Sequence, residues 1–153
     1  MSKFTINISH KPIIELNRIS ATSYGSMLLK AWTWKTVDLD DGYYFYPIKW
    51  ADWDKIFMYV QKNLPKYQVD KFDCDNFAFY ISIMVSKEFG VNTCNVVEGK
   101  VDFDDGKGWQ QHKWNTFFDG SSFYQLESQK YTPPNQIADL DDPNYVPEEI
   151  IAF

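Results

Sequence analysis

One apolar segment, from Asp73 to Phe89, constrains the fold more than any other part of the sequence. Its apolar residues have helical spacing, but they leave almost no polar side until Ser86. A helix that is apolar all round is a buried one. Asp73 is a favourable N-cap residue, and Gly90 supplies the left-handed residue that commonly ends a helix. The segment therefore predicts a central helix that other elements cover.

A second helix is predicted just before this one. Trp53 begins a run of apolar residues that recur at the spacing of one helical face, and Pro65 ends the run. Still earlier in the chain, the sequence favours extended structure. Alternation at Phe4, Ile6 and Ile8 predicts a strand; a turn-rich stretch follows over 20–26, and residues 27–37 and 42–46 also look extended.

The segments after the central helix predict antiparallel strands and then an irregular tail. Strands are expected over 91–103, 109–118 and 123–127, with turn signals at Asp105-Gly106 and Asp119-Gly120. The tail over 131–153 contains four prolines, so we expect it to wrap the surface without a long regular element. The order of helix, helix and antiparallel strands predicts an α+β fold.

Length and charge limit the classes of function. At 153 residues the chain predicts a single domain, 1–153, with N-terminal strands and loops over 1–42, a catalytic core over 43–129 and a tail over 130–153. The net charge of -6 comes without a run of Lys or Arg, so nucleic acid is not an expected partner. No apolar stretch approaches the length of a membrane helix, and the first residues do not resemble a signal peptide. We expect no membrane partner and a cytoplasmic location.

Cys74 occupies the first turn of the predicted central helix. The unpaired N–H groups and the positive dipole end found there stabilise a thiolate, which is the nucleophilic form of cysteine, and one N–H can point at an oxyanion. The alternative is that Cys74 is a small buried core residue. Cys94 lies on a predicted strand without an evident partner, and we interpret it as a core residue.

His112 and Glu127 lie on two strands that the Asp119-Gly120 turn joins. A two-residue loop would place His112 directly opposite Glu127, and a four-residue loop would make Glu127 its diagonal neighbour on the same face. A three-residue loop would separate the two side chains. Glu127 could also be an exposed carboxylate on an edge strand. If the contact forms, a thiol, an imidazole and a carboxylate supply the three groups of thiol acyl transfer.

Two segments resemble a known family. KFDCDNFAF, from Lys71 to Phe79, resembles the Asp-Cys-Asp-(Asp/Asn)-Phe-Ala motif of the papain-like domain found in Marasmius oreades-type agglutinins and in related phage and bacterial proteins. HKWN, from His112 to Asn115, is similar to the His-x-Trp-Asn segment of transglutaminase-like peptidases. FYQLE, ending at Glu127, is similar to their aromatic-rich strand that ends in Asp or Glu.

The resemblance implies a papain-like fold and a cysteine peptidase or isopeptidase, with Cys74 as nucleophile, His112 as base and Glu127 as the orienting carboxylate. Its partner would be a peptide or protein substrate, and no cofactor would be required. Transfer of the acyl group to an amine is an alternative. So is a non-catalytic phage or bacterial binding or structural module that retains a vestigial triad. A phage-encoded protein would be associated with the virion.

Three further groups of residues carry weaker expectations. Papain-like enzymes often place a glutamine about six residues before the cysteine as oxyanion donor, which implies Gln68, with Tyr67 as competitor. Asp102, Asp104 and Asp105 resemble part of a calcium loop, and the agglutinin family implies calcium-dependent proteolysis. The full loop with its distant Glu is absent, however, so we favour an acidic hairpin turn. Four tryptophans could stack on sugar or form core; they are Trp32, Trp34, Trp50 and Trp53.

Overall fold

The structure is a computed structural model that describes residues 10–32, 39, 42–68, 73–129 and 137–152. The strand predicted at residues 4–8 lies outside these ranges. Within them the elements follow the order β1(Leu16–Ser20), α1(Ala21–Trp32), β2(Tyr43–Pro47), α2(Trp50–Gln61), α3(Cys74–Phe89), β3(Cys94–Val101), β4(Gln110–Phe118), β5(Phe123–Leu126), β6(Ile137–Asp139) and β7(Tyr145–Ile151).

The strands form two antiparallel sheets. β1 and β2 form a two-stranded sheet, and the other five strands form a second sheet in the order β6-β5-β4-β3-β7. β3 and β4 lie at the centre of that sheet and are joined by the loop over 102–109. The centre of the sheet therefore holds the strand that carries His112.

α3 forms where its apolar composition predicts a central helix, but it is buried on one face and not all round, since Ile83 is 53% exposed. Its Phe77, Ala78, Ile81, Ser82 and Val85 are buried. Gly90 ends it with a φ of 69°, in the left-handed region that favours glycine. α2 and the inner strands complete the same core through Trp53, Phe57, Phe117 and Leu126. Phe77 and its neighbours thus fix the helix against the sheet, and the helix start is fixed with them.

Two polar contacts tie this core together. The Asn115 side chain on β4 donates to the backbone carbonyl of Ala78 on α3, with an N···O distance of 2.9 Å. The Trp53 indole donates to the carbonyl of Phe118 at 3.1 Å. Both donors are buried, and buried donors without a partner would cost about 1–3 kcal/mol each. These bonds therefore fix α2 and α3 in register with β4.

The structure contradicts several predictions for the two ends of the chain. Residues 20–32 were expected to be turns and extended chain, but α1 begins at Ala21 because Tyr24 and Leu28, one helical turn apart, bury one face. The tail was expected to lack a long regular element, but β7 spans Tyr145–Ile151. β7 tolerates Pro147 because it is an edge strand, which needs fewer ladder bonds.

The prediction of an α+β class is also wrong, because strands and not helices make up most of the elements. Strands outnumber helices seven to three in the described ranges, because the C-terminal part adds β6 and β7 to the sheet. The fold is β-rich. None of the described helices is both long and apolar enough to cross a membrane.

Candidate functional site

The start of α3 is set by a reciprocal capping box. The Asp73 side chain accepts from the backbone N–H of Asn76, and the Asn76 side chain accepts from the Asp73 backbone N–H at 3.2 Å. Cys74 is therefore the first helical residue, and its side chain is partly exposed. A thiol in this position lies beside the unpaired N–H groups of the helix start.

The hairpin between β4 and β5 has the four-residue loop, one of the two alternatives that allow His112 and Glu127 to meet. Phe118 pairs with Phe123, and the Asp119 side chain accepts from the backbone N–H groups of Ser121 and Ser122, at 2.8 Å each. Counting back along this register places Glu127 diagonal to His112, just past the end of β5.

Cys74, His112 and Glu127 are in contact in the folded chain. His112 Nε2 lies 2.9 Å from Glu127 Oε2, and Cys74 is close enough to the same ring to influence its pKa. The His112 side chain is 5% exposed and that of Glu127 15%. Burial acts to lower the pKa of His112, but the bonds to Cys74 and Glu127, with the charge of Glu127, outweigh it and raise this pKa to about 9.

These groups face an open cleft with a volume of about 540 Å³, which we call the thiol cleft. Phe103 contacts the His112 ring edge to face, with centroids 5.0 Å apart. Tyr67, which is 53% exposed, stacks on Phe77 at 6.3 Å. The remaining polar lining consists of Asp105, Lys107, Gln110, Gln111 and Gln129. The raised pKa keeps the His112 imidazole protonated to about pH 9, beside the partly exposed Cys74 side chain.

The residues with weaker expectations lie in or beside this cleft. Tyr67 lines it, whereas Gln68 is exposed at a short bridge just before the undescribed residues 69–72. The oxyanion role of either residue stays a prediction. Asp102 and Asp105 accept hydrogen bonds inside the β3–β4 loop, and Asp104 has a φ of 55°. Calcium binding by these three residues also stays a prediction.

Two charged residues near Cys74 were not predicted. Asp75 Oδ1 lies 3.4 Å from the Cys74 sulfur, and Asp75 Oδ2 lies 3.1 Å from Lys113 Nζ. The sequence could have indicated part of this arrangement, because Asp75 is the second carboxylate next to Cys74, and a cation nearby would offset its charge. Lys113 follows His112 directly, but only the packing of α3 on β4 brings it to Asp75.

A close group of metal-type donor atoms is found in the described ranges at Asp73, Cys74 and Asp75, whose donor atoms lie within 4.8 Å of one another. Both carboxylates are already engaged. Asp73 caps α3 and Asp75 pairs with Lys113. We therefore explain these carboxylates by the helix start and the ion pair, and assign no metal to them.

Comparison with known proteins gives a likeness of fold. No family model matches the chain, and no curated protein matches it. A solved structure described as a PSL1a–E64 complex matches with a TM-score of 0.55 and 20% identity, over 80% of this chain and 47% of that one. A structure of Polyporus squamosus lectin, bound to the epitope Neu5Acα2-6Galβ1-4GlcNAc, matches with a TM-score of 0.56 and 21% identity, over 75% and 44%. This chain shares the fold of the matched part.

The comparison corrects the family that the sequence suggested. The structures that match are those of a lectin, and the prediction of a papain-like or transglutaminase-like catalytic domain is therefore wrong. The α+β papain-like fold class is replaced by the β-rich fold shared with these lectin structures.

The same finding contradicts the predicted activity. The prediction of a cysteine peptidase-like hydrolase, with a thiol-protease mechanism and a catalytic triad, conflicts with a neighbour that is named as a lectin bound to a glycan epitope. The finding favours the alternative of a binding module. It also favours a bound partner over a peptide substrate. The chain spans less than half the length of the matched lectin chains, so what those whole proteins bind is not assigned to it directly.

Proposed function

We propose that this chain is a binding module whose ligand occupies the thiol cleft and is contacted there by Cys74. The observation that carries the proposal is the interaction of Cys74 with His112 and of His112 with Glu127, where all three line an open cleft of about 540 Å³. Polar groups in such a cluster lose hydration, and the hydrogen bonds among them offset that cost. A concave site with converging polar groups is the usual form of a ligand site.

The chemistry of the cleft favours a ligand with an electrophilic carbon and flanking amides. The partly exposed thiol beside a protonated imidazole is a nucleophile, and the side-chain amides of Gln110, Gln111 and Gln129 can donate to or accept from amide groups. E64, the compound named with one of the matching structures, is an epoxide of this general class. In its reaction with a thiolate, an S–C bond forms, a ring C–O bond breaks and the oxygen takes up a proton.

A glycan is the second candidate, because two rings in the cleft are accessible. Tyr67 is 53% exposed and Phe103 is 43% exposed, and both line the thiol cleft. Exposed aromatic faces beside amide side chains suit the apolar faces and hydroxyls of sugars. The epitope Neu5Acα2-6Galβ1-4GlcNAc, named with the other matching structure, is the natural probe.

The experiment is to incubate the protein with one equivalent of E64 at pH 7 and to measure its intact mass and peptide map. We expect one adduct, on Cys74, in the wild type and in Cys94→Ala, and none in Cys74→Ala. The last two variants remove the same atom at two sites and are matched controls. The trisaccharide is titrated in parallel by calorimetry, before and after E64 treatment.

Three results would contradict the proposal. The first is an unmodified Cys74, and the second is saturable trisaccharide binding that E64 treatment leaves unchanged, since the ligand site would then lie elsewhere. The third is turnover of an ester that thiols can cleave, with more than one product molecule released per protein molecule, because a binding module would react at most once. Trisaccharide binding that E64 abolishes would support the thiol cleft as the site and favour the glycan.

A further inference from the structure

The Cys74 thiol has two acceptors within reach, and they have opposite effects on it. His112 can take the proton and keep a positive charge beside the sulfur. Asp75 Oδ1, 3.4 Å from Sγ, can accept a hydrogen bond only while the sulfur keeps its proton. Its carboxylate charge also disfavours a thiolate beside it. An unopposed Asp75 would therefore hold Cys74 in the thiol form.

Lys113 opposes Asp75. Its Nζ lies 3.1 Å from Asp75 Oδ2 and 2.9 Å from Glu98 Oε2, which is on the residue directly opposite Lys113 on β3. The Lys113 side chain is 15% exposed, whereas those of Asp75 and Glu98 are 53% and 41% exposed. The ammonium is thus fixed between the start of α3 and β3. Burial acts to lower the pKa of Lys113, but the bonds to Glu98 and Asp75 outweigh it and raise this pKa.

Other charged groups surround the thiol from each element that borders the cleft. Asp105 and Lys107, on the β3–β4 loop, pair with each other at 2.9 Å, so their charges largely offset. Asp73 is held by the capping box of α3. The remaining titratable groups near the thiol are His112 on β4, Glu127 after β5 and Tyr67 before α3. Lys113 is the cation that reaches the carboxylate next to Cys74 in the described ranges.

We infer that Lys113 is a positioning residue of the thiol cleft: it holds the Asp75 carboxylate and offsets its charge, so that the Cys74 proton can pass to His112 instead of being kept on the sulfur by Asp75. This inference rests on the proposed function, because it assigns a role at the same thiol. Lys113 touches neither the sulfur nor the ligand site. It acts through Asp75, and its effect is on how readily the thiol ionises.

The test is the rate of Cys74 modification by iodoacetamide from pH 5 to 10, followed by peptide mapping in the wild type and four variants. Lys113→Met keeps the length of the stem and removes the charge, so half-maximal labelling should move to higher pH, with a loss of roughly 3- to 10-fold at pH 6. Asp75→Asn should move it to lower pH. Lys113→Arg should restore the wild-type profile, and Glu98→Gln should move it least.

The opposite signs of Lys113→Met and Asp75→Asn separate a charge effect from loosened packing, which would move both in the same direction. If Lys113→Met does not fold, Asp75→Asn still decides, because only the proposed competition predicts a shift to lower pH. Wild-type and Asp75→Asn profiles that superimpose, with Cys74 labelled selectively in both, would overturn the inference and leave the proposed function standing. Failure to label Cys74 selectively in the wild type would overturn both.

Discussion

Cys74 and Cys94 are the two cysteines of the sequence, and the fold gives them opposite surroundings. Cys74 begins α3, is partly exposed and contacts His112. Cys94 begins β3, is 2% exposed and belongs to the main apolar core. Burial raises the pKa of the Cys94 thiol, and none of the described residues supplies a charge that offsets this effect. The same residue type therefore lines a cleft at position 74 and packs in the core at position 94.

The difference comes from the partners of each residue and not from its type. The backbone carbonyl of Cys94 accepts a hydrogen bond from the buried Ser82 hydroxyl, which fixes β3 against α3. The thiol of Cys74 instead faces a cleft. It lies beside the His112 imidazole and the Asp75 carboxylate, and His112 in turn contacts the Glu127 carboxylate. Reactivity should therefore differ sharply between the two thiols, and stability should depend on Cys94 more than on Cys74.

The largest effect should follow from His112→Ala. Without the imidazole, Cys74 becomes an ordinary thiol, which is only about 0.3% ionised at pH 6, so its labelling at that pH should fall roughly 100-fold. The measurement is the alkylation rate by peptide mapping. Cys94 stays unlabelled in native protein and serves as the internal reference. An unchanged Cys74 rate would show that His112 does not influence the thiol.

Glu127→Gln should have the next largest effect. The amide keeps the shape and can still orient the ring, but it removes the charge that favours imidazolium. Labelling of Cys74 at pH 6 should fall roughly 10-fold, less than in His112→Ala. The measurement is the pH profile of labelling in both proteins, with circular dichroism to confirm folding. Superimposable profiles would remove Glu127 from the site.

The stability of the wild type should decrease as the pH rises from about 6.5 to about 9. The ordinary pKa of histidine is 6.5 and that of His112 in the fold is about 9, so the folded state binds the extra proton between these values. The stabilisation from this proton is complete below pH 6.5 and is lost as the pH rises through about 9.

The expected size is on the order of 1–3 kcal/mol in the free energy of unfolding, measured by urea denaturation at a series of pH values. His112→Asn should flatten the curve in this range. A wild-type curve that rises between pH 6.5 and 9 would contradict the assignment of a protonated His112.

The smallest effects should come from replacing the cysteines themselves, and they concern the free energy of unfolding. Cys94→Ala removes a buried side chain from the core and should lower the free energy of unfolding by about 1–2 kcal/mol. Cys74→Ala removes a partly exposed side chain and should change it by less than about 0.5 kcal/mol. Denaturant midpoints measure both. Equal losses would show that the two thiols are packed alike.

The sequence predicts the middle of the chain well because its signals there are local. Asp73 and Gly90 mark both ends of α3, and the parity of the β4–β5 loop is enough to bring Glu127 to the side of His112. The two-residue and four-residue loops could not be separated, because Asp119 caps its own turn by accepting from Ser121 and Ser122. That choice of turn depends on side-chain bonds that a two-residue motif does not show.

The ends of the chain were predicted poorly because their structure depends on distant partners. α1 is a helix because Tyr24 packs on Tyr44 and Phe118, which come from β2 and β4. β7 forms because β3 offers it an edge, with Gly99 facing Pro147 beside a bulge. The Asp75–Lys113 ion pair joins residues that are 38 positions apart. No local pattern reports any of these contacts.

The central claim is that the fold makes Cys74 a ligand-contacting thiol and Cys94 a core residue. The most direct test is the ratio of their alkylation rates in native protein, measured by quantitative peptide mapping with iodoacetamide from pH 5 to 9. We predict selective modification of Cys74 at or below neutral pH, with Cys94 modified only after addition of denaturant. Equal and slow modification of both residues, with the profile of a free thiol, would contradict the claim.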